Sequence, residues 1–308
     1  MPSNYFRRFA AILAIALLPF AARAAALPKP SVGTLERIEL RSAYVDSRPV
    51  EVWLPDGYAA QAKAGQRFQV LYMHDGQMLF DAGTTWNKQA WHVDVALDRL
   101  VREGKVPPTI VVAVWNNGKY RAAEYMPQKF LERMPAAPRE QLVKERLEGR
   151  PQADNYLRFL VEELKPLIDR RYATRSEAAA TFIMGSSMGG LISVYAFNEY
   201  PQVFGGAAGL STHWVGIFQP NASIPLAAFN YLQDKLPAPA TRRLYLDRGT
   251  EQLEALYAPA QAFVDQIVRE RGYTDAHYLS RVFEGTDHSE KAWSERLAIP
   301  LQFLLGKR

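Results

Sequence analysis

Cysteine is absent from the 308 residues. That excludes thiol nucleophiles, Cys-ligated zinc, iron–sulfur clusters and disulfides, so the fold must rest on a packed core. A chain of this length has room for one large domain or two small ones. Long hydrophobic runs are missing too: the strongest, Phe9 to Leu18, has ten apolar residues, against the roughly 20 needed to cross a bilayer. Arg7 and Arg8 precede that run, and Pro19 and the small-residue pattern Ala22-Arg23-Ala24 follow it. This layout reads as a secretory signal peptide over residues 1–24, giving a periplasmic or secreted mature chain with no membrane span. Loss of its three arginines lowers the formal net charge from +5 to +2. The high pI therefore says little about partners, and no later basic stripe has the length of a nucleic-acid surface.

Short β-branched or aromatic runs alternate with longer amphipathic ones. Strands are expected at "LERIEL", "VEVWLP", 67–73, 108–115, 180–185, 203–211, 242–249 and 277–285. Helices are expected over 89–105, 153–172, from Met188, over 252–271 and over 289–305, the second carrying Leu157, Leu160, Leu164, Leu167 and Ile168 at helical spacing. This alternation predicts an α/β fold with a mostly parallel central sheet flanked by helices. With no internal repeat or interdomain linker, residues 26–308 form one expected domain. Residues 116–152 are too long for an ordinary strand-to-helix connection. They leave a strand's carboxyl end, where such sheets bind ligands. A lid or substrate wall and a solvated insertion both fit.

"GSSMGG" at 185–190 satisfies G-x-S-x-G only with Ser187 at its centre. A bare match arises by chance with a probability of about 0.1 in a chain of this size, given ordinary glycine usage. Here, however, a strand precedes it and a helix follows, as a nucleophile elbow requires. Ser186 has no glycine two residues before it and reads as a turn-stabilising hydroxyl. A serine nucleophile needs a base and an acid to orient that base, in the chain order Ser, acid, His. His74 and His92 precede the serine, and His277 lies within an expected strand. His213 could line a pocket, whereas His288 falls between the last strand and the last helix, the place for the base. Asp247 at the end of the preceding strand and Glu251 four residues on are candidate acids, and Asp287 is a weaker third, because a residue adjacent in sequence to the histidine rarely has the geometry to meet its ring nitrogen. Backbone donors for a developing oxyanion are expected at Met188 N–H and at Gln77 N–H, in the turn that Gly76 permits. His74-Asp75 has no companion at ligand spacing, so no metal and no cofactor is expected.

With "LYMHDGQMLFD", "GSSMGG" and the late "DH" together, the chain resembles the esterase family of α/β-hydrolases that includes siderophore esterases, feruloyl and acetylxylan esterases, S-formylglutathione hydrolases and mycolyltransferases. "WNKQAWHVDVALDRL" and the Arg121-to-Tyr125 loop strengthen the likeness to the siderophore-esterase branch, over nearly all of residues 35–305. The resemblance implies Ser187 as nucleophile, His288 as base, and Met188 and Gln77 as oxyanion donors. It matches Glu251 to the triad acid and gives Asp247 a supporting role, while some siderophore esterases work with a Ser-His dyad. It also implies a substrate-contacting Arg121, for which a loop-shaping salt bridge to Glu124 is the alternative. Trp86 and Trp214 are candidate aromatic walls. The expected activity is hydrolysis of a small-molecule ester through an acyl-enzyme, with ferric-siderophore esters first. Plant-wall feruloyl or acetyl esters, acyl transfer by the same residues, and a non-catalytic binder are the alternatives.

Overall fold

The computed structural model describes residues 26–307, so the expected signal segment lies outside the described residues. Its sheet has eight strands: β1 (Thr34–Leu40), β2 (Arg48–Leu54), β3 (Gln69–His74), β4 (Thr109–Val114), β5 (Thr181–Ser186), β6 (Gly206–Leu210), β7 (Arg243–Arg248) and β8 (Tyr278–Val282). Their spatial order is β1-β2-β4-β3-β5-β6-β7-β8. The β1–β2 and β2–β4 pairs are antiparallel and the remaining pairs parallel. The helices are α1 (Tyr58–Lys63), α2 (Val93–Arg102), α3 (Arg121–Tyr125), α4 (Gln128–Leu131), α5 (Ala136–Arg146), α6 (Ala153–Arg158), α7 (Lys165–Arg171), α8 (Met188–Glu199), α9 (Ser223–Lys235), α10 (Ala258–Glu270), α11 (Glu290–Arg296) and α12 (Ala298–Leu305).

Every residue of β3 and β4 is buried, as continuous apolar strands covered on both faces should be. The two-residue period sorts their side chains into two cores. Val70, Tyr72, Ile110 and Val112 pack with Leu157, Leu160, Leu164 and Ile168, and with Leu191 and Val194 of α8. Leu71, Met73, Val111 and Ala113 pack on the other face with Leu97 and Leu100 of α2 and with Leu297, Leu301 and Leu304 near the carboxyl end.

The expected helix at 153–172 is continuous from 153 to 171 but changes winding midway, and prolines or loop contacts interrupt or shorten three others. A π-helical stretch, Phe159–Leu164, separates α6 from α7 immediately before Pro166, whose ring cannot supply the N–H that the Glu162 carbonyl would bond. The expected helix at 252–271 is a 3₁₀ turn, Gln252–Leu256, and then α10, which restarts with Pro259 in its first turn. The expected helix at 289–305 breaks between α11 and α12, with Pro300 unable to bond back to Arg296. Farther upstream, α2 starts at Val93 rather than 89 because Trp91 N–H and Val93 N–H bond the carbonyls of Met78 and Leu79, and His92 between them is left-handed. The α9 helix has no counterpart among the expected elements, although Ile224, Ala227, Ala228, Tyr231 and Leu232 form its buried face.

Candidate active site

Ser187 sits between β5 and α8 with φ 56° and ψ −124°, a backbone conformation that is costly for any residue but glycine. Its N–H donates to the Leu210 carbonyl (2.9 Å) and its carbonyl accepts from His213 N–H (3.2 Å), which ties the turn to the end of β6. The glycines make the turn sterically feasible: a Cβ on Gly185 would lie 2.7 Å from the carbonyl carbon of Gly189. Ser186 is the buried last residue of β5.

Three loops converge on this turn. His288 follows β8, and its Nδ1 meets Glu254 Oε1 at 2.8 Å. Glu254 is wholly buried, and its Oε2 accepts from Gly249 N–H at 2.9 Å, so both oxygens are committed. A carboxylate at Nδ1 fixes the neutral imidazole with Nδ1–H donating and Nε2 free to accept a proton. Trp293 meets the His288 ring edge-on at 5.0 Å, and Tyr257 does so at 5.9 Å. Tyr257 also joins His288 to the serine turn through His213, whose backbone N–H bonds the Ser187 carbonyl. Its phenol contacts His213 Nδ1 at 2.7 Å as well.

The acid at His288 is therefore Glu254, and neither Glu251 nor Asp247. Glu251 is exposed at the start of the 3₁₀ turn, where it accepts from the Thr250 hydroxyl (3.2 Å), while that turn carries the side chain three residues later inward. Asp247 is fully buried in an ion pair with Arg296 (Nη2–Oδ1 2.9 Å), and it accepts from Ser211 N–H and the Tyr245 hydroxyl. Arg296 and Trp293 both donate to the Ser211 hydroxyl, so the Asp247 network props the wall behind His288. Asp287 accepts from the Ser289 hydroxyl. The signal in the sequence was a third carboxylate, Glu254, shortly after Asp247 and Glu251, yet only the turn geometry selects it.

The other side of the site is the turn after β3. Asp75 is left-handed (φ 54°), and a Cβ on Gly76 would stand 2.7 Å from the Ala113 carbonyl carbon, so glycine lets Gly76–Met78 lie against the end of β4. Asp75 Oδ2 would lie 3.3 Å from a Cβ on Gly189, which brings this turn and the start of α8 together. Met188 is the first residue of α8, where N–H groups have no partner inside the helix and face anions favourably. Gln77, within the Gly76–Met78 turn, is anchored by its side chain, which accepts from Asn116 N–H at 3.2 Å.

Arg121 does not pair with Glu124. It grips Asp75 through two bonds of 2.7 Å, and Glu124 pairs with buried Arg48 instead. Burial acts to raise Asp75, but the Arg121 charge together with the hydrogen bonds from Arg121 and Asn116 holds the carboxyl below its usual range. Burial lowers His213 to about 3, with the His288 and Arg121 charges adding to the effect, so His213 is neutral in the folded protein. His74, also lowered to about 3 by burial, has its Nδ1 at 2.8 Å from the Tyr156 hydroxyl. No group of three or more His, Asp or Glu capable of holding a metal ion occurs among the described residues.

A cleft of about 340 Å³ opens beside Ser187, lined among others by Lys119, Arg121, Arg146, His213 and Phe218. The 116–152 segment supplies one wall through Gly118–Ala122 and 145–147, while its Tyr125, Met126 and Phe130 are buried in the core. Trp214 is not a wall: it is fully buried, and its Nε1 donates to Gln261 at 3.0 Å. Trp86 is 84% exposed and lies outside the cleft lining. Tyr257 and Phe218 were not foreseen; the first lies past the expected acid, and the second in a loop without a recognisable motif.

Sheet order and site together define an α/β-hydrolase. The family model described as "Putative esterase" matches residues 42–304, and the chain belongs to that family of hydrolases acting on ester bonds, whose serine mechanism fits this site. The uncharacterized protein YbbA of Bacillus subtilis is 22% identical over 268 residues, covering 85% of this chain and 94% of that protein. A ferulic acid esterase structure superposes with a TM-score of 0.63 at 18% identity, covering 89% of this chain and 98% of that one. The enterobactin esterase of Shigella flexneri superposes with a TM-score of 0.62 at 16% identity, and the chain spans 60% of that longer protein.

Proposed function

We propose that the protein is an exported serine esterase whose Ser187, His288 and Glu254 form the catalytic triad. The observation that carries this reading is the 2.8 Å pair of His288 Nδ1 with buried Glu254, linked through Tyr257 and His213 to a serine in a strained turn. Ser187 Oγ attacks the ester carbonyl as its proton passes to His288 Nε2, and Glu254 stabilises the imidazolium. Met188 and Gln77 N–H groups take the oxyanion. Collapse breaks the bond to the alcohol oxygen, which leaves with the proton from His288. Water then attacks the acyl-enzyme, with His288 first accepting its proton and then returning one to Ser187.

The substrate we favour is an ester carrying a hydroxylated aromatic ring close to the scissile carbonyl. A cleft at the small end of the range for ligand sites suits one aryl arm. Exposed Phe218 offers it a face, and Lys119 and Arg146 offer it positive charge. The names of the ferulic acid esterase and enterobactin esterase neighbours are consistent with this class. Export rests on residues 1–24 and is tested by sequencing the amino terminus of the periplasmic form, which should begin near Ala25.

Ser187→Ala should lose p-nitrophenyl ester hydrolysis by several orders of magnitude, with Ser186→Ala within about tenfold. Equal large losses would remove the assignment. Methyl ferulate and a catecholate trilactone should be cleaved faster than p-nitrophenyl acetate, relative to their uncatalysed rates; a preference for acetate would refute the aryl reading. Product analysis with added alcohol separates hydrolysis from acyl transfer.

A further inference from the structure

Arg121 lines the cleft beside Ser187, where a substrate contact is expected of it, yet its charged end is spent elsewhere. Nε and Nη2 each donate to the Asp75 carboxylate at 2.7 Å, one to Oδ1 and the other to Oδ2. Asn116 Nδ2 adds a further bond to Oδ1, also at 2.7 Å. The Asp75 N–H donates to the hydroxyl of Tyr125 at 3.3 Å, and the Arg121 guanidinium lies over that ring, 5.1 Å from its centroid. Asp75 and Tyr125 are both buried.

Asp75 opens the turn that carries Gln77. Its carbonyl accepts from Met78 N–H at 2.9 Å, and its backbone is left-handed, a conformation that a non-glycine residue keeps only where its surroundings impose it. Asn116 holds the same turn a second time, because its N–H donates to the Gln77 side chain at 3.2 Å. Asp75 Oδ2 also stands 3.3 Å from where a Cβ on Gly189 would be, one residue past Met188. The carboxylate therefore belongs to one of the two segments that supply oxyanion donors and abuts the other. Unpaired, it would repel the charge that develops on the carbonyl oxygen and draw those same N–H groups toward itself.

We propose that Arg121 is a positioning residue for the oxyanion site: through Asp75 it holds the Gly76–Met78 turn against the start of α8 and cancels the carboxylate charge beside the developing oxyanion. It transfers no proton and touches no reacting atom. Positive charge for the substrate is left to Lys119 and Arg146. An oxyanion forms on every ester, in acylation and again in deacylation. Loss of Arg121 therefore slows all substrates by the same factor, whereas loss of a substrate contact is felt only by substrates that reach it.

This inference rests on the esterase reading of Ser187, so Ser187→Ala is measured first. Activity retained there overturns that reading and this one with it, while the remaining results bear on Arg121 alone. Arg121→Met should lower kcat/KM, which reports acylation whichever later step limits kcat, about 10- to 100-fold. The factor should agree within about threefold between p-nitrophenyl acetate and methyl ferulate, and the second-order rate of fluorophosphonate labelling should fall with it. Adding Asp75→Asn to Arg121→Met removes the uncompensated carboxylate and should recover roughly half of the loss or more on a logarithmic scale. Arg121→Lys keeps the charge but not the two-pronged grip and should fall between the parent and Arg121→Met. If Arg121→Met does not fold, the equal slowing of the two esters is read from Arg121→Lys, and unequal slowing there overturns the proposal. It also fails if Arg121→Met keeps kcat/KM on p-nitrophenyl acetate within about threefold of the parent. A double variant that regains the melting temperature lost in Arg121→Met but none of the activity would make the pair structural only, and would equally overturn it.

Discussion

Glu254→Gln is the sharpest perturbation this site offers, because the glutamine cannot satisfy both neighbours of the carboxylate. The native oxygens accept from His288 Nδ1–H on one side and from Gly249 N–H on the other. If the amide oxygen faces His288, its NH₂ confronts the Gly249 N–H, donor against donor, in a site with no solvent to relieve it. If it turns over, NH₂ faces Nδ1, which must then accept, and the tautomer places the ring proton on Nε2, where it cannot take the Ser187 proton. The first outcome forfeits a charge-assisted hydrogen bond worth about 1.5–3 kcal/mol, or roughly 10- to 150-fold in rate. The second has the character of a wrong-tautomer trap, for which losses reach about 10⁴-fold. We therefore expect kcat/KM on a p-nitrophenyl ester to fall on the order of 10²- to 10⁴-fold. Glu251→Gln, at an exposed side chain, should stay within about threefold. Thermal unfolding of both variants controls for folding. A Glu254→Gln enzyme within threefold of the parent, or a larger loss from Glu251→Gln, would refute the argument.

Other perturbations test the supporting structure. Arg48→Met leaves Glu124 buried without its partner, which should cost about 3–5 kcal/mol and lower the melting temperature, whereas Arg48→Met/Glu124→Leu should recover most of it. Gly185→Ala drives a Cβ into the Gly189 backbone, so calorimetry should show destabilisation of about 1–3 kcal/mol and assays a large fall in activity. His213 is held near 3, far below its unfolded value, so between those values the unfolded chain binds a proton that the folded one refuses. Stability is then lost as pH falls through that window, with a slope of up to about 1.4 kcal/mol per pH unit from this group. His213→Asn should flatten the corresponding part of a denaturation-midpoint-against-pH curve; an unchanged slope would contradict the assignment.

How legible the protein was in its sequence depended on the range of the interaction. Apolar runs such as "IVVAV" and "TFIM" are local patterns with a two-residue period, and burial on both faces of a parallel sheet follows directly from them. The serine turn was equally local, since strand, helix and glycines adjoin Ser187 in the chain. The helix breaks were partly legible, because Pro166, Pro259 and Pro300 are visible in the sequence, yet the period of the leucines around them reads straight through.

Side-chain partners were the part that sequence could not settle. Asp247, Glu251 and Glu254 lie within eight residues, and each could have faced His288 on chain order alone. A left-handed Gln252 and the 3₁₀ turn it begins rotate Glu254 inward and leave Glu251 in solvent, while Arg296, from 49 residues away, claims Asp247. Arg121 was drawn to Asp75 across 46 residues rather than to Glu124 three residues on, because Arg48 had already neutralised that buried carboxylate. The sequence by itself determined the sheet, the elbow and the order of Ser187 and His288, all of which follow from periodicity and local sterics. Tertiary structure alone decided which carboxylate meets His288, which tryptophan is core and which tyrosine holds His213, because a buried charge or hydroxyl takes whichever partner the folded loops bring within about 3 Å.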